Sequence, residues 1–181
     1  MNEQQHREFL ELYRPLHDAF VRFCSSHAYG VMETEDLVQE TILCVLQRFE
    51  GVRDKQKLLG YMIAAASNIV KNHLRRRKFQ GKYDERALRK LEGRLSDPEA
   101  AIDVHLLHQA MNKLPLKDKE ALILFEITGM SMQEIADIQQ AGLSATKTRI
   151  SRARQKLREL LGEKERTRRL AVRLPALLTL L

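Results

Sequence analysis

The sequence predicts an all-α chain built as two small helical domains joined by a flexible linker. Three observations lead there. Among 181 residues there are only four Pro and eight Gly, so long stretches run without a helix breaker. In several of those stretches apolar residues recur with the period of a helix. Between residues 80 and 101 that period is lost in a polar, charged interval carrying Gly81, Gly93 and Ser96-Asp97-Pro98, which reads as the linker. The expected division is residues 1–79, a linker over 80–101, residues 102–162, and a basic then apolar tail over 163–181.

In the first domain Phe9, Leu12, Tyr13, Leu16, Phe20 and Phe23 stand at helical spacing and predict one helix from about Glu3 to His27. Ala28-Tyr29-Gly30 breaks it. Thr34 is placed to cap a second helix, with Glu35 and Asp36 in the first turn, where the helix dipole favours negative charge. Its apolar stripe is Leu37, Val38, Ile42, Val45, Leu46 and Phe49. Its polar face holds Asp36, Gln39, Glu40 and Gln47. Residues 51–57 read as a short polar loop. A third helix follows from about Leu58 to Lys78, with Met62, Ala66, Ile69, Val70 and His73 on or near its inward stripe. The opposite stripe is Tyr61, Ala65, Asn68, Asn72 and Arg75, and the helix ends in Arg75-Arg76-Arg77-Lys78.

In the second domain Leu106, Leu107, Ala110 and Met111 make one helix, closed by Leu114-Pro115. Ala121, Leu122, Leu124, Phe125 and Ile127 mark another over about Lys117 to Thr128, stopped by Gly129. Ser131-Met132-Gln133-Glu134 is a capping box that opens a short helix. The connection Gln139-Gln140-Ala141-Gly142 leads into a final helix from Leu143 to about Leu161. There Leu143, Thr146, Ile150, Ala153 and Leu157 are expected to pack inward. Ala136 is small enough to let the last two helices approach. Lys147, Thr148, Ser151 and Arg152 then point outward together.

The distribution of charge narrows the function classes. The chain carries a formal +7, but the charge is segregated. Residues 71–90 hold nine basic and two acidic residues, residues 143–173 eleven and three, and residues 33–50 one and five. Two cationic blocks suit a polyanion, and a solvated salt-bridge surface would mix the signs more evenly. A short capped helix, a tight turn and a longer basic helix form a helix-turn-helix, whose outward Lys, Arg, Ser and Thr suit phosphates and base edges. The Tyr61 stripe has different chemistry. Its aromatic and amides can stack on or bond bases that have left the duplex, while the arginines hold the backbone.

These motifs together resemble the extracytoplasmic-function (ECF) group of the sigma-70 family of RNA polymerase sigma factors. The segment from Thr34 to Thr41, Thr-Glu-Asp-Leu-Val-Gln-Glu-Thr, is similar to the acidic signature of region two. Leu58 to Lys78 resembles the promoter-melting helix. Leu114-Pro115, Gly129-Met130-Ser131, Glu134-Ile135-Ala136 and the run Lys147 to Leu157 resemble region four. The resemblance spans about residues 9–162. It implies a factor that binds core RNA polymerase, directs it to promoters and promotes melting. By position, Asp36, Gln39 and Glu40 would grip the polymerase clamp coiled coil. Tyr61, Asn68, Asn72, Arg75 and Arg76 would meet the −10 element, with the 51–57 loop shaping recognition of an extruded base. Lys147, Thr148, Arg149, Ser151 and Arg152 would contact the −35 element, with Arg149 and Arg154 on phosphates. Such proteins are usually held by an anti-sigma factor, and a monomer is expected when free.

The chain departs from the family at Tyr61, where Trp is frequent, and at Gln140, where Gly is common. A non-Gly residue in a left-handed conformation costs roughly 1–2 kcal/mol. Gly142 can take over that role and shift the turn slightly.

Rival classes find less support. No Gly-rich phosphate loop, nucleophile elbow or HExxH is present, so an enzyme is not expected, nor a cofactor. His105 and His108 lie three apart but lack a third ligand, and the pair reads as an exposed helix face with no metal. A stand-alone helix-turn-helix regulator accounts for residues 102–162 but not for the acidic helix or the Tyr61 stripe. Cys24 and Cys44 have no disulfide-scaffold or metal spacing, which suits the reducing cytoplasm. The polar N-terminus predicts no secretory signal. The twelve-residue apolar end, interrupted by Arg173 and Pro175, is too short to insert in a membrane.

Overall fold

The computed structural model describes residues 3–52, 54–77 and 98–162, and every regular element among them is helical. The chain divides into two compact units, residues 1–82 and 83–181. Most of the expected linker, residues 80–97, and the whole of the 163–181 tail lie outside the described residues.

The first unit contains α1 (Glu3–Tyr13), α2 (His17–Ala28), α3 (Thr34–Leu46) and α4 (Leu58–Arg77). The single long helix expected at the start is in fact two. Pro15 has no N–H to give to the carbonyl four residues back, and its ring crowds that carbonyl. Arg14–Leu16 therefore tightens into a 3-10 turn before α2 resumes. The Tyr13 hydroxyl and His17 Nδ1, 2.7 Å apart, span the break. Burial of the phenol raises the Tyr13 pKa above its usual value.

At the end of α2 the amide of Val31 donates to the Ala28 carbonyl at 2.7 Å. Tyr29 at φ −49°, ψ 122° and Gly30 at φ 69° give this turn type II geometry, which requires positive φ at its third residue. Thr34 is the first helical residue of α3 and not its cap. The extended cap residue is Glu33, which makes no side-chain capping bond. Compensation of the N-terminal dipole falls to Glu35 and Asp36 in the first turn.

The core is aromatic. Phe9, Phe20, Phe23 and Phe49 are buried, and Phe9 meets Phe49 edge-on at 5.5 Å. Each such ring contributes roughly 1.5–3 kcal/mol by leaving water. α4 lays Met62, Ile63, Ala66 and Val70 into this core and packs on α3 and α2. That packing turns the polar faces of α3 and α4 outward. The 51–57 segment is not an open loop, since Phe49–Gly51 and Lys55–Lys57 are 3-10 turns. Asp54 caps the second by accepting from the Gln56 amide at 3.1 Å.

The second unit contains α5 (Pro98–Met111), α6 (Leu116–Glu126), α7 (Met132–Ile138) and α8 (Leu143–Gly162). The first helix starts at Pro98, so residues 98–101 of the expected linker are helical. Proline suits a first helical position, where its missing N–H is not needed. Gly129, at φ 68°, ends α6, and the Met130 amide returns to the Leu124 carbonyl at 3.0 Å. The Ser131–Glu134 capping box is complete. The bonds from Ser131 hold the Glu134 carboxyl below its usual pKa. α8 packs on α6, α7 and α5 through buried Thr146, Ile150, Ala153, Leu157 and Leu161. Leu143 departs from the inward stripe and is 40% exposed, because it precedes the first turn that α6 and α7 cover.

The turn between α7 and α8 resolves differently from the Gly142 alternative. Gln140 itself takes the left-handed conformation, at φ 49°, and Gly142 is not among the positive-φ residues. The Gln140 side chain is exposed, so nothing opposes its removal. Gln140→Gly should therefore stabilise the second unit by about 1 kcal/mol. A chemical-denaturation midpoint that rises reads this directly. A fall would mean that the Gln140 side chain offsets its own backbone strain.

Candidate nucleic-acid interface

Three surfaces carry the residues singled out by sequence. On α3, Asp36, Gln39 and Glu40 are all exposed or partly so. The Glu40 carboxylate lies 3.8 Å from His73 Nε2 on α4. The same face holds Leu43, one turn beyond Gln39 and Glu40, with 61% of its surface in water. Sequence reading passed over Leu43 because it falls outside the apolar stripe. The available signal was its spacing, seven residues after Asp36.

On α4, Tyr61, Asn68, Asn72, Arg75 and Arg76 are exposed and Ala65 is half-buried. Arg75 Nη2 donates to Asn72 Oδ1 at 2.8 Å, which leaves the Asn72 amide nitrogen free to donate outward. No acidic residue occurs anywhere in the helix. The surface therefore offers an aromatic, amide and guanidinium groups, and positive charge with no acid beside it on the helix.

On α8, Lys147, Thr148 and Ser151 are exposed, Arg152 keeps 61% of its side chain in water, and Arg149 is half-buried. The tertiary structure adds acceptors that no local pattern revealed. Arg149 Nη1 donates to Gln139 Oε1 at 2.7 Å, and Gln139 Nε2 in turn donates to the Lys117 carbonyl at 2.9 Å. Arg152 makes two hydrogen bonds to the buried Asp118, and these raise its pKa further. Arg154 donates to Glu126 at 2.7 Å, with its guanidinium 5.2 Å from the Phe125 ring centre. Arg154 thus serves the packing of α6 and α8. Arg149 and Arg154 flank the buried stripe, and the exposed quartet lies between them.

The His105–His108 pair is not an exposed face. His108 is buried, and its pKa is pushed down to about 3 by burial, aided by Lys119 and His105. Burial also lowers Lys119 to about 8, and its Nζ donates to Asn112 at 2.7 Å. Burial pushes the Cys24 thiol up, away from the reactive thiolate. Among the described residues no group of three or more His, Cys, Asp or Glu is placed to hold a metal ion. No described helix is long and apolar enough to cross a membrane.

A unit with an acidic helix beside a basic, amide-rich helix, and a second unit with a helix-turn-helix, have the arrangement of a nucleic-acid-binding protein with a separate acidic surface. The sigma-70 region 2 family model matches residues 12–80, and the sigma-70, region 4 model matches residues 105–157. The ECF RNA polymerase sigma factor EcfG of Rhodopseudomonas palustris is 28% identical over 139 residues, 77% of either chain. RNA polymerase sigma factor CarQ of Myxococcus xanthus is 29% identical over 133 residues, 72% of this chain and 76% of that one. Two solved structures share the fold. The sigma factor RpoE of Bartonella quintana, in complex with the anti-sigma factor NepR, matches with a TM-score of 0.62 and 23% identity over 86% of this chain and 99% of that one. CnrH, in complex with the cytosolic domain of CnrY, matches with a TM-score of 0.65 and 21% identity over 88% and 91%. The chain belongs to the sigma-70 family, in its extracytoplasmic-function group, and is a promoter-directing sigma factor of RNA polymerase. That family is not enzymatic in general.

Proposed function

We propose that the three surfaces divide the work of initiation. The exposed face of α3, with Asp36, Gln39, Glu40 and Leu43, docks on core polymerase in the cytoplasm. Tyr61, Asn68, Asn72, Arg75 and Arg76 on α4 hold the −10 element as it opens, beside the 51–57 segment. Lys147, Thr148, Arg149, Ser151 and Arg152 on or beside the exposed face of α8 meet the −35 duplex. The observation that carries this reading is the α4 stripe. A groove-reading helix needs groups aimed at base edges of intact pairs. A stripe of Tyr, Asn and Arg with no acid on its own helix suits unpaired bases and their backbone instead, at about 1–3 kcal/mol per stacked base.

Run-off transcription tests the proposal, with purified core polymerase on a pooled genomic promoter library. The protein should produce defined new start sites. Changing Asn68 and Arg75 together to Ala should reduce those transcripts by about tenfold or more, since each lost contact is worth on the order of 1 kcal/mol. Duplex binding by the protein alone, with no core association and no new transcripts, would make it a stand-alone regulator.

An anti-sigma factor fits the same reading, because one solved structure named above is a sigma factor bound to an anti-sigma factor, and CnrH in the other is also bound to a protein domain. The free chain is a monomer in this scheme. Purification from the native host under non-inducing conditions should recover such a partner. Recovery of polymerase alone would count against it.

A further inference from the structure

The geometry points to Asp118 as a positioning residue for DNA reading: it holds Arg152 so that the outer edge of the guanidinium meets a planar pair of acceptors on the duplex. This rests on the proposal that α8 contacts the −35 duplex.

Asp118 stands in the first turn of α6 and Arg152 in the middle of α8, 34 residues later. Asp118 Oδ2 accepts from Nε at 2.7 Å and Oδ1 accepts from Nη2 at 2.9 Å. This is the side-on, two-bond form of an arginine–carboxylate pair. The carboxylate side chain is 3% exposed and the guanidinium side chain 61%. One partner is therefore anchored in the packed unit while the other stands in water.

A guanidinium carries five N–H donors in one plane, and Asp118 takes two. The two on Nη1 and the outer one on Nη2 remain. They lie in the same plane and point away from the carboxylate. That edge matches two chemically similar targets: O6 and N7 of a guanine in the major groove, or two oxygens of a phosphate. The rotamer freedom that a solvated arginine would lose on binding is removed in advance.

A simple clamp between α6 and α8 would leave the same two bonds. Two other arginines of α8, Arg149 and Arg154, show what such clamps look like here. Arg154 is 39% exposed and covers Phe125 while bonding Glu126. Arg149 is half-buried against Gln139. Arg152 alone of the three combines a buried anchor with an exposed fork, beside exposed Lys147, Thr148 and Ser151.

A double-mutant cycle separates positioning from clamping. Holoenzyme is assembled from core polymerase and the full-length chain as wild type, Asp118→Asn, Arg152→Lys and the double variant. Each is used to select from a pool of duplexes randomised upstream of a fixed −10 segment. Lysine keeps the charge but cannot present a planar fork. Thermal unfolding verifies that each variant is folded. Asp118→Asn should weaken selection by about tenfold when Arg152 is present and by less than about twofold when it is combined with Arg152→Lys. Loss confined to one base pair assigns the edge to guanine. Loss spread evenly over all sequences assigns it to phosphate. Equal losses in both backgrounds, or no loss in either, would overturn the proposal and leave Asp118 a clamp. If wild-type holoenzyme selects no upstream sequence at all, the −35 reading of α8 fails, an outcome distinct from failure of Asp118.

Discussion

Changing Leu43 to Arg should weaken association with core polymerase by about thirtyfold or more, while thermal unfolding of the free chain stays where it is. Leu43 is 61% exposed, so an arginine there meets water in the free chain and costs little. In the docking proposed above, core polymerase covers the same position. An exposed leucine among Asp36, Gln39 and Glu40 suits an interface with an apolar centre and a polar rim. Truncated anchors of that kind typically cost at least about 2 kcal/mol, and a buried unpaired charge adds to the loss. The measurement is competition for core polymerase against the wild-type chain, followed by run-off transcription. A variant that competes equally well would remove this face of α3 from the interface. Asp36→Ala and Glu40→Ala should produce smaller losses that diminish at high salt, because rim charges act chiefly on encounter.

Acidification should destabilise the second unit through His108, and His108→Gln should remove that dependence. The sign follows from where the proton goes. The folded pKa is lowered to about 3, against an ordinary value near 6.5. Between those values the unfolded chain binds a proton that the folded chain excludes. Stability therefore falls as pH drops from about 6.5 towards 3. From pH 6.5 to 5, above the ordinary carboxylate range, the group's own contribution is about 2 kcal/mol. Lys119 acts in another window. Its folded pKa is lowered to about 8, so stability rises from there towards the ordinary lysine value near 10.4. Amide-exchange protection of α5 and α6 at several pH values reads both windows. Equal acid sensitivity in wild type and His108→Gln would show that His108 is not the titrating group.

Much of this protein was legible in one dimension, because the governing physics is local. The apolar periods over α3, α4 and α8 are set by side chains three and four residues apart, so the exposed stripe of Tyr61, Asn68, Asn72 and Arg75 could be read directly. The capping box at Ser131 and the stop at Gly129 are also local, each a matter of backbone donors and acceptors within a turn. The break at Pro15 belongs with them. The residue was in plain view, and the aromatic period running through it obscured a missing N–H.

What the tertiary structure decided concerns partners far apart in sequence. Asp118 and Arg152, Glu126 and Arg154, and Gln139 with Lys117 meet only when α6, α7 and α8 pack. His108 is buried and Leu43 exposed for the same kind of reason. A helix has several faces that periodicity can distinguish, but a neighbour that covers one of them is chosen by the whole arrangement of helices. At Gln140 the chain holds a strained backbone that glycine would relieve, because the packing of α7 on α8 sets the direction of the turn. Local chemistry thus determined which groups this sigma factor could offer to polymerase and DNA. Packing decided which of them stand in water, because burial and ion pairing are properties of surfaces that meet.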